Sequence, residues 1–418
     1  MRGVTLVEQA QRSLLEYLRA ALDPEAAAPA LPGKEELSAL LELAGEQQAL
    51  LLVLDQLLPI LRTVDWAAEM LGPLRQTLLQ GVAGQARRTQ KLEELCRALD
   101  QAGLRVLVLK GLACRRLYPK PDLRPSSDED LLARDADFAA VDEQLRRAGM
   151  EAVAGEMLGQ AQVVTYLDRI SGLRVELHRR LFPEGDMLYG GMNACFAHAF
   201  QKAERLPWPD APVWSMGPGE HLLYLICHSF KHFVHSGFGV RQVCDLCLSA
   251  AAYGADIDWP ALFCTLEELH ADCFAVNLFA IGSRYLGFAG RWDPAMEAAL
   301  AAREAPDCDA LLEDLLAGGV YGSNSTARLH SSRITLNAAA RPGHGLGGPL
   351  LRTLFPAAAE LEGEYPYLKG HHWLVPGAWV QRMARYAAGN QDLSAAARES
   401  VSIGERRVAL LRKYRVIP

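Results

Sequence analysis

The sequence predicts an α+β fold in which a small α/β unit, at about residues 86–182, stands between helical regions at 1–85 and 183–418. Three observations lead there. Apolar residues near both ends of the chain recur at helical spacing. Between residues 86 and 182, short apolar runs of strand length alternate with amphipathic helical stretches, as in a compact α/β unit. Clusters of Pro and Gly mark the seams between these textures.

Each region follows in order. Leu14, Leu15, Leu18 and Leu22 fall on one helical face, and Leu37–Leu61 is a Leu-rich stretch with an expected break at Pro59. Pro24–Pro32 reads as a loop. A charged amphipathic helix is expected at Arg87–Ala102, ending at Gly103. Leu104–Leu109 suits a buried strand, Leu112–Tyr118 returns to helical spacing, and Pro119, Pro121 and Pro125 enforce an extended linker. A second strand is expected at Asp130–Ala133, then a helix at 135–148 built on Phe138, Val141 and Leu145. Met150–Ala154, Gln162–Leu167 and the alternating Leu173–Leu177 supply further strands. After Pro183, helices are expected at 219–234, 240–253, 259–287, 294–317, 376–388 and 394–413, with a long Gly-, Ser-, Asn- and Arg-rich loop at 320–350.

Composition narrows the function classes. At 418 residues, half of them hydrophobic and 22% charged, the chain has material for a sizeable core spread over two or three domains. A net charge of −7 with no basic half argues against a long nucleic acid as partner, because that affinity comes from Lys and Arg neutralising phosphates. No apolar run reaches the ~20 residues that span a bilayer, and the first residues read as an amphipathic helix rather than a secretory leader. Nine scattered cysteines fit reduced thiols, so a cytoplasmic location is expected.

The stretch that carries chemistry is VLVLKGLACRRLYPKPDLRPSSDEDLLA. Strand alternation would set Asp128 and Asp130 on one face and Glu129 on the other. Two such carboxylates repel unless a cation lies between them, and magnesium takes one or two carboxylates together with substrate phosphates. Upstream, a strand runs into Lys110-Gly111 and a helix start. Glycine permits close backbone approach, free N–H groups face outward, and the lysine adds positive charge, so both residues are candidates for binding triphosphate. Arg124 is a candidate for phosphate contact or for pairing with Asp128. Downstream, Glu176 and His178 share a face of the RVELH strand. Glu176 is a candidate third carboxylate, as metal ligand or proton acceptor, and His178 is expected to hold a neighbouring group.

LKGLACRRLYP, LRPSSDEDLLA and VELH together resemble a bacterial family of uncharacterised nucleotidyltransferases within the polymerase-β-like superfamily. The resemblance continues in HLLYLICHSFKHF, in the helix bearing Asp245 and in LFPAAAELEGEYPYLKGHHWLVPGAW. It implies a polymerase-β-like α/β core with helical flanks, and transfer of a nucleoside monophosphate from an NTP to an acceptor hydroxyl on a small molecule, a peptide or protein, or an RNA end. Magnesium is the implied cofactor in a two-metal site on Asp128, Asp130 and Glu176, with Lys110, Gly111 and Arg124 at the nucleotide. A protein partner is also compatible with the helical flanks. Two departures stand out. Lys110-Gly111 replaces the Gly-Ser or Gly-Gly of the wider superfamily, and Glu129 replaces an apolar residue, which predicts a solvated back face or a sheet edge. They motivate the alternative of a catalytically weak member that binds a nucleotide or a protein.

Other motifs read as packing. His228 and His232 stand at i, i+4, but His-Ser-Phe-Lys-His lacks the glutamate of a zinc protease. Cys244 and Cys247 lie in one helical pattern without a second pair. The GHGLGG run at 343–348 lacks the Lys-Ser/Thr of a phosphate loop, and Trp379, Met383 and Tyr386 follow helical spacing.

Overall fold

In a computed structural model the described residues are 6–153, 161–184, 189–235, 237–303, 307–318, 361, 365–368, 371–381 and 393–417. They sort into two compact units, Met1–Ser229 with Gly239–Asp309 and Phe230–Phe238 with Ala310–Pro418.

The first unit begins with α1 (Leu6–Leu22), α2 (Lys34–Glu46) and α3 (Leu50–Leu61). They pack through buried Leu14, Leu18, Leu37, Leu40, Leu54 and Leu57. Pro59 does not break α3, because only two residues follow it and no more than the last turn loses bonding. The helix expected from Arg87 starts much earlier, as α4 (Ala68–Gln101), with Pro73 accommodated near its start. Its end is as expected. Gly103 adopts φ +73°, its N–H donates to Asp100 O, and Leu104 N–H donates to Leu99 O at 2.9 Å. Those two bonds satisfy carbonyls that the helix itself leaves open.

Five strands form the central sheet: β1 (Leu107–Val108), β2 (Glu129–Leu132), β3 (Glu151–Ala152), β4 (Val163–Leu167) and β5 (Arg174–His178). Their order is β1-β2-β5-β4-β3, with β2 and β5 parallel and the other pairs antiparallel. Alternation gives the sheet two different faces. Leu131, Val164, Tyr166, Val175 and Leu177 meet Leu95 and Leu99 of α4 and Phe138, Val141 and Leu145 of α6 (Phe138–Arg147) in one apolar core. The opposite face carries Asp130, Leu132, Glu176 and His178.

A two-stranded sheet of β6 (Glu204–Arg205) and β7 (Trp214–Ser215), without a signal in the sequence, braces β1 through Ser215 Oγ donating to Val108 O at 2.7 Å. Helices α7 (Pro218–His235), α8 (Val240–Tyr253), α9 (Trp259–Glu268), α10 (Asp272–Tyr285) and α11 (Pro294–Ala301) follow. The single helix expected at 259–287 is broken between α9 and α10. His270 takes φ +53° there, and Ala271 N–H folds back to Leu266 O. Cys244 and Cys247 are packing residues: both are buried, and a side chain at Gly282 of α10 would strike Cys247 Sγ.

The second unit includes the end of α7, α12 (Asp309–Gly318) and α13 (Leu393–Lys413). Arg407 of α13 is buried and donates to Phe233 O and, at 3.2 Å, to His235 O, filling carbonyls at the end of α7. Leu361, Tyr365, Leu368, Val375 and Ala378 form a small cluster, with Trp379 against it. Of the helix expected at 376–388, residues 376–381 are described and are helical. Met383, Tyr386 and the expected loop at 320–350, including 343–348, lie outside the described residues.

Candidate active site

Parallel register is what brings the key carboxylates together. Asp130 of β2 pairs with Glu176 of β5, and Leu132 pairs with His178. Residues paired across neighbouring strands project from the same face, so Asp130, Glu176 and His178 converge. One ligand atom from each lies within 4.8 Å of the others, the only such group of three or more His, Cys, Asp or Glu side chains among the described residues. His178 Nε2 is 3.0 Å from Asp130 Oδ1 and 3.7 Å from Glu176 Oε2.

Lys110 completes the cluster from the other side. The β1 strand delivers it beside β2, and its Nζ is 2.7 Å from Asp130 Oδ2 and 3.0 Å from His228 Nε2 of α7. Burial by itself would push the Asp130 carboxyl up; the Lys110 ammonium and the His178 hydrogen bond outweigh it and hold the group well below the usual carboxylate range. Burial likewise opposes charge on His178, but hydrogen bonds to Asp130 and Glu176 lift its imidazole above the ordinary value.

Glu129 corrects an expectation. It is neither solvated nor on an edge strand, but 2% exposed on the core side of β2. Its Oε2 accepts the Leu112 N–H at 2.9 Å, and its Oε1 accepts from Arg115 Nη1 at 3.0 Å. Leu112 opens α5 (Leu112–Arg115), so the carboxylate clasps the start of the helix that follows Lys110-Gly111. Gly111 has φ +49°, and a Cβ there would overlap the Glu129 carboxylate. The glycine is therefore required twice, by backbone conformation and by space.

Arg124 is placed differently from the phosphate or Asp128 contact expected of it. It is buried, and its Nε and Nη2 donate to Asp245 of α8 at 2.9 and 2.6 Å. Tyr118 Oη donates to the same carboxylate at 2.8 Å, and Arg241 Nη1 lies 3.5 Å from it. This network pins both ends of the Pro-rich linker that leads to Asp128. Asp128 stands just ahead of β2, half-buried, and its Oδ1 accepts from Ser127 Oγ at 2.8 Å. It is outside the converging group of Asp130, Glu176 and His178.

His221 of α7 adds another brace behind Lys110: its Nε2–H donates to Leu109 O at 2.7 Å. Burial pushes its imidazole down to about 4, so it works as a neutral donor. Sequence reasoning did not single out Arg115, Tyr118, His221 or Lys110's neighbour His228 in these roles. A signal existed for Arg115, because a glutamate where the motif is ordinarily apolar asks for a nearby base.

The converging donors suit a divalent cation. Two carboxylates match a hard ion such as magnesium, while the imidazole nitrogen also suits manganese or zinc. Lys110 Nζ already neutralises Asp130, and a cation would share or replace it.

The model of a family described as uncharacterised nucleotidyltransferase matches residues 33–287, which takes in every element from α2 to α10 and the whole cluster above. Comparison with curated proteins gives no match, and neither does comparison with solved structures. Covering more than half of the chain, with the carboxylate face of its sheet inside the matched span, the match shows that the chain belongs to this family of uncharacterised nucleotidyltransferases.

Proposed function

We propose that the chain transfers a nucleoside monophosphate from an NTP to an acceptor hydroxyl, with Asp128, Asp130 and Glu176 as the metal-binding carboxylates. The observation that carries this reading is the in-register facing of Asp130 and Glu176 on neighbouring parallel strands, with Lys110 and His178 converging on them. A bound magnesium ion, or a pair of them, would neutralise triphosphate charge there. Lys110 and the Gly111 amide steady the triphosphate, His178 holds Asp130 in orientation, and the Arg124–Asp245 pair fixes the linker from which Asp128 reaches the site. The acceptor oxygen attacks the α-phosphorus. A new O–P bond forms, the bond to the β-phosphate oxygen breaks, pyrophosphate leaves, and Glu176 takes the hydroxyl proton.

The test is thermal unfolding with each of four NTPs, with and without magnesium, on wild type and Asp128→Asn/Asp130→Asn. A ligand held only by the folded state stabilises it by about 2.7 kcal/mol at a hundredfold excess over Kd. A magnesium-dependent shift with an NTP, absent in the double variant, is expected; no shift with any NTP overturns the reading.

A second reading, nucleotide binding with little transfer, is favoured by the Lys110–Asp130 ion pair, which sets an ammonium where a cation would lie. Pyrophosphate release that depends on Asp130 and magnesium decides against it.

A further inference from the structure

Beyond the carboxylates, the same sheet face runs into a cavity of about 500 Å³. Leu132, two residues past Asp130 and therefore on its face, is part of the lining, about 7 Å along the strand at the usual rise per residue. The lining also holds Arg134, Arg179 and Arg180 against one acid, Asp135, although the chain as a whole carries −7. Two of these guanidinium groups are laid over rings: Arg134 over Phe200 at 4.7 Å and Arg179 over Phe138 at 3.7 Å. Arg180 is paired twice, Nη2 with Asp135 at 2.7 Å and Nε with Glu184 at 2.6 Å, and Asp135 also lies 3.7 Å from Arg179 Nη1. Both carboxylates are more than half exposed, so these ion pairs are weak enough for an incoming anion to replace. Planar guanidinium groups held by stacking are suited to phosphate and carboxylate recognition.

Position assigns the cavity a role. Lys110-Gly111 lies beside the start of β2, whereas the cavity lies past the carboxyl ends of β2 and β5, with Asp130 and Glu176 between them. In-line displacement puts the leaving pyrophosphate and the attacking hydroxyl on opposite sides of the α-phosphorus. If the triphosphate lies toward Lys110, the acceptor enters from the cavity side. We infer that the Arg134–Arg179–Arg180 cavity is the acceptor pocket, and that the acceptor is a small molecule with a phosphate or carboxylate group at the end remote from its reacting hydroxyl. The role as acceptor pocket rests on the transfer reading above; the anion site itself does not.

The experiment is isothermal titration calorimetry of the full chain with phenyl phosphate and with benzoate, in the absence of NTP and magnesium. At least one probe is expected to bind, and the arm that binds identifies the anionic group. Arg180→Ala should weaken it about tenfold, the size of one lost charge-assisted hydrogen bond. Arg134→Gln, at a half-exposed side chain, repeats the reading should Arg180→Ala fail to fold. Asp135→Asn, which removes the carboxylate shared by Arg179 and Arg180 and leaves Glu184 on Arg180, should tighten binding, an effect that a merely structural role for these arginines would not produce. Absence of binding by both probes, or equal affinity in wild type and the arginine variants, overturns the pocket while a magnesium–NTP shift would leave the transfer reading standing. Competitive displacement of the probe by ATP places the donor's phosphates in the cavity and overturns the acceptor role. Probe binding without any magnesium–NTP shift removes the transfer reading and the acceptor role with it.

Discussion

Glu129 and Asp130 are consecutive on β2, and each is 2% exposed, yet they sit in opposite chemical worlds. Glu129 faces the core side, where burial raises its carboxyl in spite of Arg115 and the Leu112 N–H. Asp130 faces the other side, where Lys110 and His178 more than cancel burial and keep it ionised. The first carboxylate is fully used in holding the Lys110-Gly111 turn. The second is held by Lys110, whose ammonium it shares with His228, and stands beside Glu176, whose side chain is 32% exposed. Burial alone therefore does not tell a structural acid from a candidate catalytic one; what matters is whether the partner can be exchanged for a ligand.

The largest effect that separates the two is on turnover. Asp130→Asn should lower pyrophosphate release by on the order of a thousandfold while the protein still unfolds cooperatively. Retained activity would erase the distinction drawn here. Glu129→Ala should act in the opposite way, costing about 3–5 kcal/mol in urea unfolding because it strands Arg115 in the core. The double change Glu129→Leu/Arg115→Met should recover most of that stability, and failure to do so would mean that the Leu112 N–H bond, not the ion pair, is the dominant contribution.

The next effect in size concerns the neutral brace, His221. Its folded value of about 4 lies below the unfolded value near 6.5, so the unfolded chain takes up the proton first as pH falls. Stability should be lost between about pH 6.5 and 4 and level off below, by on the order of 3 kcal/mol. His221→Gln should lose correspondingly less over that window when both proteins are unfolded in urea at pH 7 and pH 4.5. Equal losses would show that the imidazole is not held neutral. The smallest effect is the control. Arg169→Ala removes an ion pair with Glu151 in which both side chains are more than half exposed, and it should leave the unfolding midpoint unchanged.

Much of the α/β core was legible because its rules are local. Alternation in RVELH, the run before Lys110-Gly111 and the glycine at 103 each report on a few neighbouring residues. The helical start at Ala68 was not legible, since the stretch before Arg87 mixes Gly, Pro and polar residues and is held by packing against α3. In the candidate site, strand periodicity set Asp130 beside Asp128 and Glu176 beside His178. That Asp130, Glu176 and His178 converge without Asp128 was hidden, because the pairing of β2 with β5 and the start of β2 at Glu129 are set by tertiary contacts. The partners of Arg124 and Lys110 were hidden, because Asp245 and His228 lie 121 and 118 positions away and reach them only through tertiary packing. Glu129 was misread for a related reason: its base, Arg115, is 14 positions distant across a turn.

The parallel pairing of Asp130 with Glu176 has a consequence for how the protein comes to be folded. A tight turn cannot close a parallel pair; the chain must pass through α6, β3 and β4 before β5 returns beside β2. Closing so long a segment costs entropy that only the finished contacts repay. The carboxylate face thus exists only once the whole α/β unit has assembled, and it is lost whenever β5 leaves the sheet. Substitutions that loosen α6 or the β3–β4 pair should then silence the site without touching any residue in it, through the fraction of time that β5 spends undocked.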